Sequence, residues 1–174
     1  LAGVICLHLG ANTANDYFDH LSGNDIANVD FVRPFTGGSR MIQEGRLGAT
    51  VVLAISMILF SGGLACGVIL TVLRGPVVLI LGAVGLACGY FYTGPPLKLA
   101  HRGLGEAAIF TSFGLIGVGS YYVQTAAVTG HCVLISLPLA FLITAIIVIN
   151  EFQDSAADSS VGKKTLVVRM GTSR

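Results

Sequence analysis

Long apolar runs alternate with short polar stretches along the whole chain. Residues 47–73, 76–93, 104–125 and 133–152 are apolar over close to the roughly 20 residues that a helix needs to cross a bilayer. Residues 1–11 read as the tail of another such run. Gly, Pro, Asn and Asp collect between the runs, where helices end. The pattern predicts an all-α protein, a polytopic transmembrane helical bundle. Because the chain opens on Leu inside an apolar run, it is expected to be a single transmembrane domain, truncated at both ends, with no cleavable signal peptide. Alone, the piece is expected to be inactive.

Composition strengthens this picture. Hydrophobic side chains make up 53% of the 174 residues and charged ones only 11%. A soluble domain carries about 25% charged residues. The mean hydropathy is +0.80. The few cations are strongly sorted. Arg33, Arg40, Arg46, Lys98, Arg102, Lys163, Lys164, Arg169 and Arg174 fall on one side of the predicted spans and only Arg74 on the other. Such an excess marks the cytoplasmic face, where the active-site loops are then expected. All nine carboxylates lie on or near the same face. A lipid bilayer is the expected surroundings, and no nucleic-acid partner is expected. Cys6, Cys66, Cys88 and Cys132 are scattered through apolar runs and read as small buried side chains.

The acids are not scattered. Asn12, Asp16 and Asp19 stand at i, i+4 and i+7, on one face of a helix, and Asp25 follows after a break at Ser22-Gly23-Asn24. Asn150, Asp154 and Asp158 repeat the arrangement at i, i+4 and i+8 at the end of the last span. Two acidic stripes thus reach the same membrane surface and are able to face each other. Carboxylates near a membrane are costly and by default functional. Several together stay ionised only when cations neutralise them. Hard oxygen ligands in this number suit Mg²⁺, which bridges carboxylates to substrate phosphates.

Between the stripes, Tyr92-Thr-Gly-Pro-Pro-Leu-Lys98 leads to Arg102. Pro95-Pro96 is expected to end a helix and force an extended loop. Lys98 and Arg102, with Arg33, Arg40 and Arg46, offer the fixed positive charge that a diphosphate needs. His8 and His131 read as structural, while His20 and His101 flank the motifs. Gly62-Gly63 and Gly114, Gly117 and Gly119 read as surfaces for close helix packing.

These residues resemble the UbiA superfamily of intramembrane prenyltransferases. Asn15-Asp16-Tyr-Phe-Asp19 is similar to its N-D-x-x-D motif, with Asp25 following at a spacing two residues longer. Asp154, Asp158 and Gly162 resemble its D-x-x-x-D-x-x-x-G, and Gly162-Lys-Lys-Thr-Leu-Val-Val-Arg169-Met-Gly171 its G-K-x-T-L-x-V-R-x-G. The tract from Tyr92 to Glu106 is most similar to the branch that prenylates 1,4-dihydroxy-2-naphthoate in menaquinone synthesis. The resemblance implies a nine-helix bundle, with this chain covering the second helix to the sixth. It implies Mg²⁺ held by Asp16, Asp19, Asp154 and Asp158, a polyprenyl diphosphate as donor and an aromatic acceptor. Asn12, Asn15 and Asn150 would orient the ligands. Lys98 and Arg102 would stabilise the leaving diphosphate, with Tyr92, Arg33 and Arg40 also contacting substrate. Tyr17, Tyr92, Tyr121 or Tyr122 would face the allylic cation.

Two other readings are weighed against this one. A CDP-alcohol phosphotransferase also uses Asp and metal at a membrane face, but its D-G-x-x-A-R…G-x-x-x-D-x-x-x-D motif is absent. A cation-coupled transporter would place its acids near the bilayer midplane rather than at helix ends.

Overall fold

The computed structural model describes residues 1–32 and 36–171. Seven α-helices follow one another: α1 Ala2–Ser22, α2 Asn24–Ala27, α3 Ala49–Arg74, α4 Val77–Phe91, α5 Gly105–Thr125, α6 Gly130–Ser160 and α7 Leu166–Met170. A 3₁₀ turn, Leu99–Arg102, lies between α4 and α5. Five helices form the bundle: α1 packs on α3 and α4, α4 on α5, and α5 on α6. The short α2 reaches from the end of α1 to α6, closing the polar end.

Two of these helices, α3 and α6, are long and apolar enough to cross a membrane. Only 22% of the most apolar window of α3 and 17% of that of α6 is buried. The helix of a soluble core would be mostly covered, so these apolar faces point outward. Val72, Ile135 and Phe141, at 82%, 72% and 62% exposure, show the same inversion. The outer surface suits hydrocarbon.

Close packing inside the bundle depends on small residues. Gly10 of α1 lies against the Phe60 ring of α3, where a Cβ would stand 3.1 Å from the ring. Ser56 of α3, fully buried, donates a hydrogen bond to the Gly10 carbonyl at 2.9 Å. Gly63 meets Leu7 in the same seam, and Gly117 of α5 meets Ser136 of α6, at approaches a Cβ would block. The two glycine runs therefore pack helices, as their spacing predicts.

Helix ends follow the sequence at some places and depart from it at others. Helix α1 stops where Ser22-Gly23-Asn24 suggests: Gly23 adopts φ 79°, and its N–H bonds the carbonyls of Asp19 and His20. Helix α6 continues past the apolar run that ends at 152, as the shared face of Asn150, Asp154 and Asp158 requires. It runs 31 residues to Ser160, about 46 Å at 1.5 Å per residue, against a hydrocarbon core of about 30 Å. The last turns extend beyond the apolar run and carry Asp154 and Asp158 as part of the same rod. Helix α4 is shorter than its apolar run, at 15 residues. The segment after it is compact rather than extended. Gly94, Lys98 and Ala100 donate backbone hydrogen bonds to Tyr90, Gly94 and Tyr92, which folds the Pro95-Pro96 tract into a turn.

Candidate active site at the polar end of the bundle

Lys163 stands at the centre of the polar end. It follows Gly162, whose φ of 76° turns the chain back after α6. The Lys163 N–H donates to the Asp158 carbonyl at 2.9 Å. Its Nζ lies 3.0 Å from each Asp19 carboxylate oxygen and 3.6 Å from Asp158 Oδ1. All three side chains are buried. Burial opposes the lysine charge, but the Asp19 and Asp158 carboxylates outweigh it and hold its pKa above the ordinary lysine value. One ammonium therefore joins the stripe of α1 to the stripe of α6. The two acidic faces do meet.

Each carboxylate has further partners. Asn15 donates to Asp19 at 3.2 Å, one turn away on α1. The Ser39 hydroxyl donates to Asp16 at 2.5 Å. Gln43 donates to Asp25 at 2.6 Å. Just after α2, Asn28 donates to Asp154 at 2.8 Å, and the Asn24 side chain of α2 lies beside Asp158 and favours its charged form. Burial, reinforced by the Asp19 and Asp16 charges, pushes the Asp25 carboxyl up to about 7.

The cations implied by the sequence are placed unevenly. Arg40 is committed to structure: its guanidinium stacks 4.1 Å over the Phe31 ring and donates to the Asn28 carbonyl at 3.2 Å. It thereby braces the asparagine that holds Asp154. Arg102 donates to the Pro96 carbonyl at 3.3 Å. Arg46 pairs with Glu44 at 2.8 Å. Lys98 is exposed and lines a cavity of about 180 Å³ with Phe18, Leu21, Ser22, Thr93, Pro95 and His101. Burial, and then the Lys163 ammonium, lowers the His101 pKa, which keeps this imidazole neutral near pH 7. Arg33 and Arg174 lie outside the described residues.

Other implied positions separate. Tyr92, at the end of α4, lies among the charges of Glu151, Asp19, Glu106 and Asp158. Tyr17 sits edge-on to Phe18 in α1. Tyr122 does not reach the site: its hydroxyl donates to the Arg74 carbonyl at 2.9 Å, at the opposite end of the bundle. Tyr121 is beside it. Tyr121 and Tyr122 stand about 22 Å and about 24 Å along α5 from Glu106, at 1.5 Å per residue. The Asn12 amide lies 3.4 Å from a His8 ring nitrogen, one turn before the acids. Asn150 is half-buried one turn before Asp154 on α6.

The contribution of Lys163, Asn24, Asn28, Ser39 and Gln43 is not visible in motif spacing alone. Lys163 had one signal, its place directly after Gly162. The others are ordinary polar residues whose role comes from what the fold sets against them.

The sequence pattern of the UbiA prenyltransferase family matches residues 1–174. The chain belongs to this family. It is 31% identical over 178 residues to a 1,4-dihydroxy-2-naphthoate octaprenyltransferase of Haemophilus influenzae, covering 98% of this chain and 56% of that protein. It is 32% identical over 175 residues to the protein of the same description from Mycobacterium tuberculosis, covering 100% of this chain and 58% of that one. A 2-carboxy-1,4-naphthoquinone phytyltransferase of Synechocystis is 28% identical over 173 residues, covering 99% and 53%. The chain thus spans about half the length of these relatives. No solved structure matches it.

For a UbiA family member the question is whether these residues suit a divalent cation. Among the described residues no three acidic, histidine or cysteine side chains converge into a ready cage. The donor set is nevertheless hard oxygen throughout. Asn15 Oδ1 and Asn24 Oδ1 are buried beside the acids without a hydrogen-bond partner. One or two carboxylates with amide oxygens, leaving positions for water and phosphate, fit Mg²⁺ better than a closed cage does.

Proposed function

We propose that the whole protein transfers a polyprenyl group, in the membrane, from a polyprenyl diphosphate to an aromatic acceptor. The acceptor is 1,4-dihydroxy-2-naphthoate or a related quinone precursor. The observation that carries this reading is the meeting of two acidic stripes from α1 and α6 on one buried ammonium. It is supported by relatives described as naphthoate prenyltransferases. The polar end faces the cytoplasm, because the cations gather there.

The residues divide the work. Asp16, Asp19, Asp154 and Asp158 would hold Mg²⁺, with Asn12, Asn15 and Asn150 orienting those carboxylates. A cation held there would supply charge that stabilises the departing diphosphate. Lys98 and Arg102 add fixed positive charge where negative charge grows as the C–O bond breaks, and Arg33 and Arg40 help neutralise the site. The diphosphate leaves with the bonding electron pair, so the prenyl carbon becomes an allylic cation. Tyr92 offers a ring face to that cation. An acceptor ring carbon attacks it, forms the new C–C bond and loses a proton. The apolar outer faces of α3 and α6 keep the insoluble prenyl tail in lipid while its head group meets the acids.

The test uses full-length protein in membranes, a radiolabelled prenyl diphosphate and a panel of aromatic acceptors, with and without Mg²⁺. A labelled lipophilic product formed only with metal is the expected outcome. Absence of product with every acceptor, from folded protein, would overturn the reading.

A further inference from the structure

The segment after α6 does more than deliver Lys163. Within seven residues it touches three separate parts of the molecule. Lys163 reaches Asp19 of α1. The Leu166 N–H donates to Glu106 Oε1 at 2.6 Å, at the start of α5. Arg169 donates from Nη2 to the Arg102 carbonyl at 2.6 Å, on the turn between α4 and α5. That turn carries Lys98 and Arg102, the two cations aimed at diphosphate.

The contact with the turn has a specific shape requirement. Gly103 adopts φ 67°, in the left-handed region. A Cβ there would stand 2.6 Å from the Arg169 guanidinium carbon and 2.7 Å from the Lys164 carbonyl oxygen. The arginine could swing aside, but the carbonyl belongs to the backbone, so any side chain at 103 must push the whole segment away. Gly103 and Arg169 are a matched pair.

The turn also carries strain that needs a holder. Lys98 has φ 46° and ψ 59°, a left-handed conformation that a lysine adopts only where its surroundings impose it. The internal hydrogen bonds from Lys98 to Gly94 and from Leu104 to Leu99 close the turn on itself. Ala100 ties one side of the turn to the end of α4, donating to the Tyr92 carbonyl at 2.9 Å. The segment 163–169 adds a second tie on the Arg102 side, through Glu106 of α5 and the Arg102 carbonyl.

We infer that residues 163–169 form a clamp that sets the cationic turn at the correct distance from the acids, with Arg169 and Gly103 as positioning residues for the diphosphate. The inference rests on the prenyl diphosphate reading. It gives a physical reason for a lysine, a leucine amide and an arginine in one short segment: each grips a different wall of the same site.

Full-length protein in detergent is compared with Gly103→Ala, Arg169→Ala, Arg169→Lys and the Gly103→Ala/Arg169→Ala double variant. Calorimetry with inorganic diphosphate and Mg²⁺ gives the diphosphate Kd, and steady-state kinetics give KM for the prenyl diphosphate and for the acceptor. Loss of positioning predicts that either Ala variant raises the diphosphate Kd and the prenyl diphosphate KM about tenfold. The acceptor KM should stay within about twofold, the double variant should be no worse than the weaker single, and Arg169→Lys should recover part of the loss. Unchanged diphosphate affinity in both Ala variants would overturn the clamp. So would losses that multiply in the double variant, or equal rises in both KM values with a lowered Tm. Wild-type protein that binds no diphosphate with Mg²⁺ would overturn the functional reading and the clamp with it, an outcome distinct from variants that bind as well as wild type.

Discussion

The two acidic stripes look alike in the sequence and are held in unlike ways. Asp16 of α1 and Asp25 of α2 are served by residues that follow soon after, Ser39 and Gln43. On α6, Asp154 and Asp158 are served by Asn28 and Asn24, more than a hundred residues earlier. Asp16 and Asp25 are organised by their own loop, whereas Asp19 is held by Lys163 from across the bundle. The α6 stripe is organised by the closure of the bundle. Lys163 belongs to both stripes, because it touches one carboxylate of each. Similar spacing therefore does not mean equal dependence: the α6 stripe should fail whenever the fold opens, and the Asp16 and Asp25 contacts should outlast it.

The comparison breaks most sharply at the acids themselves. In full-length protein, Asp16→Ala and Asp154→Ala should each lower Mg²⁺-dependent transfer by about 10³-fold, the scale of losing a group that stabilises developing charge. Product formation from labelled prenyl diphosphate checks this. Activity retained by one variant alone would show that a single stripe suffices.

Removing the shared cation comes next. Lys163→Met should destabilise the protein by about 3–5 kcal/mol, because Asp19 and Asp158 would remain buried without their counter-charge. Thermal unfolding in detergent measures it. Adding Asp19→Asn should restore part of the loss, since the uncompensated charge is then gone.

The asparagine and serine partners separate the stripes more finely. Asn28→Ala should cost about 1.5–3 kcal/mol, the range for a hydrogen bond to a charged group, and Ser39→Ala less, because its bond is exposed to solvent. Equal losses in the two variants would erase the distinction drawn between the stripes.

The smallest effect is one of pH. Asp25 has its pKa raised from the ordinary 3.8 to about 7. A raised carboxyl pKa means that the folded protein binds the proton more tightly than the unfolded chain does. The contribution to stability is full below about pH 4 and is lost as pH rises to about 7. Asp25→Asn should therefore flatten the decline in Tm between those limits, in the absence of added divalent metal. An unchanged profile would show that Asp25 is solvated and plays no part in the buried network.

Much of this molecule is written locally. The apolar runs determined that the bundle is helical and suited to lipid, because no polar residue interrupts them for turns at a time. The i, i+4 spacing determined that Asp154 and Asp158 share a face, and Gly23 determined where α1 ends. The glycine runs determined where helices come close. Tertiary structure decided the rest. A period of 3.6 residues places side chains on a face but carries no information about which distant amide or ammonium will meet that face. Asn24 and Asn28 become partners of the second stripe only because α2 folds across to α6. Tyr122, an aromatic like Tyr92, is set at the far end by the direction of α5. The end of α6 lies beyond its apolar run, where Asp154 and Asp158 find partners, which lets the helix continue past the hydrocarbon. Lys163 shows the division most plainly. Its sequence position marks it as one more cation on a basic face, and only the approach of α1 to the end of α6 makes it the charge that two buried carboxylates require.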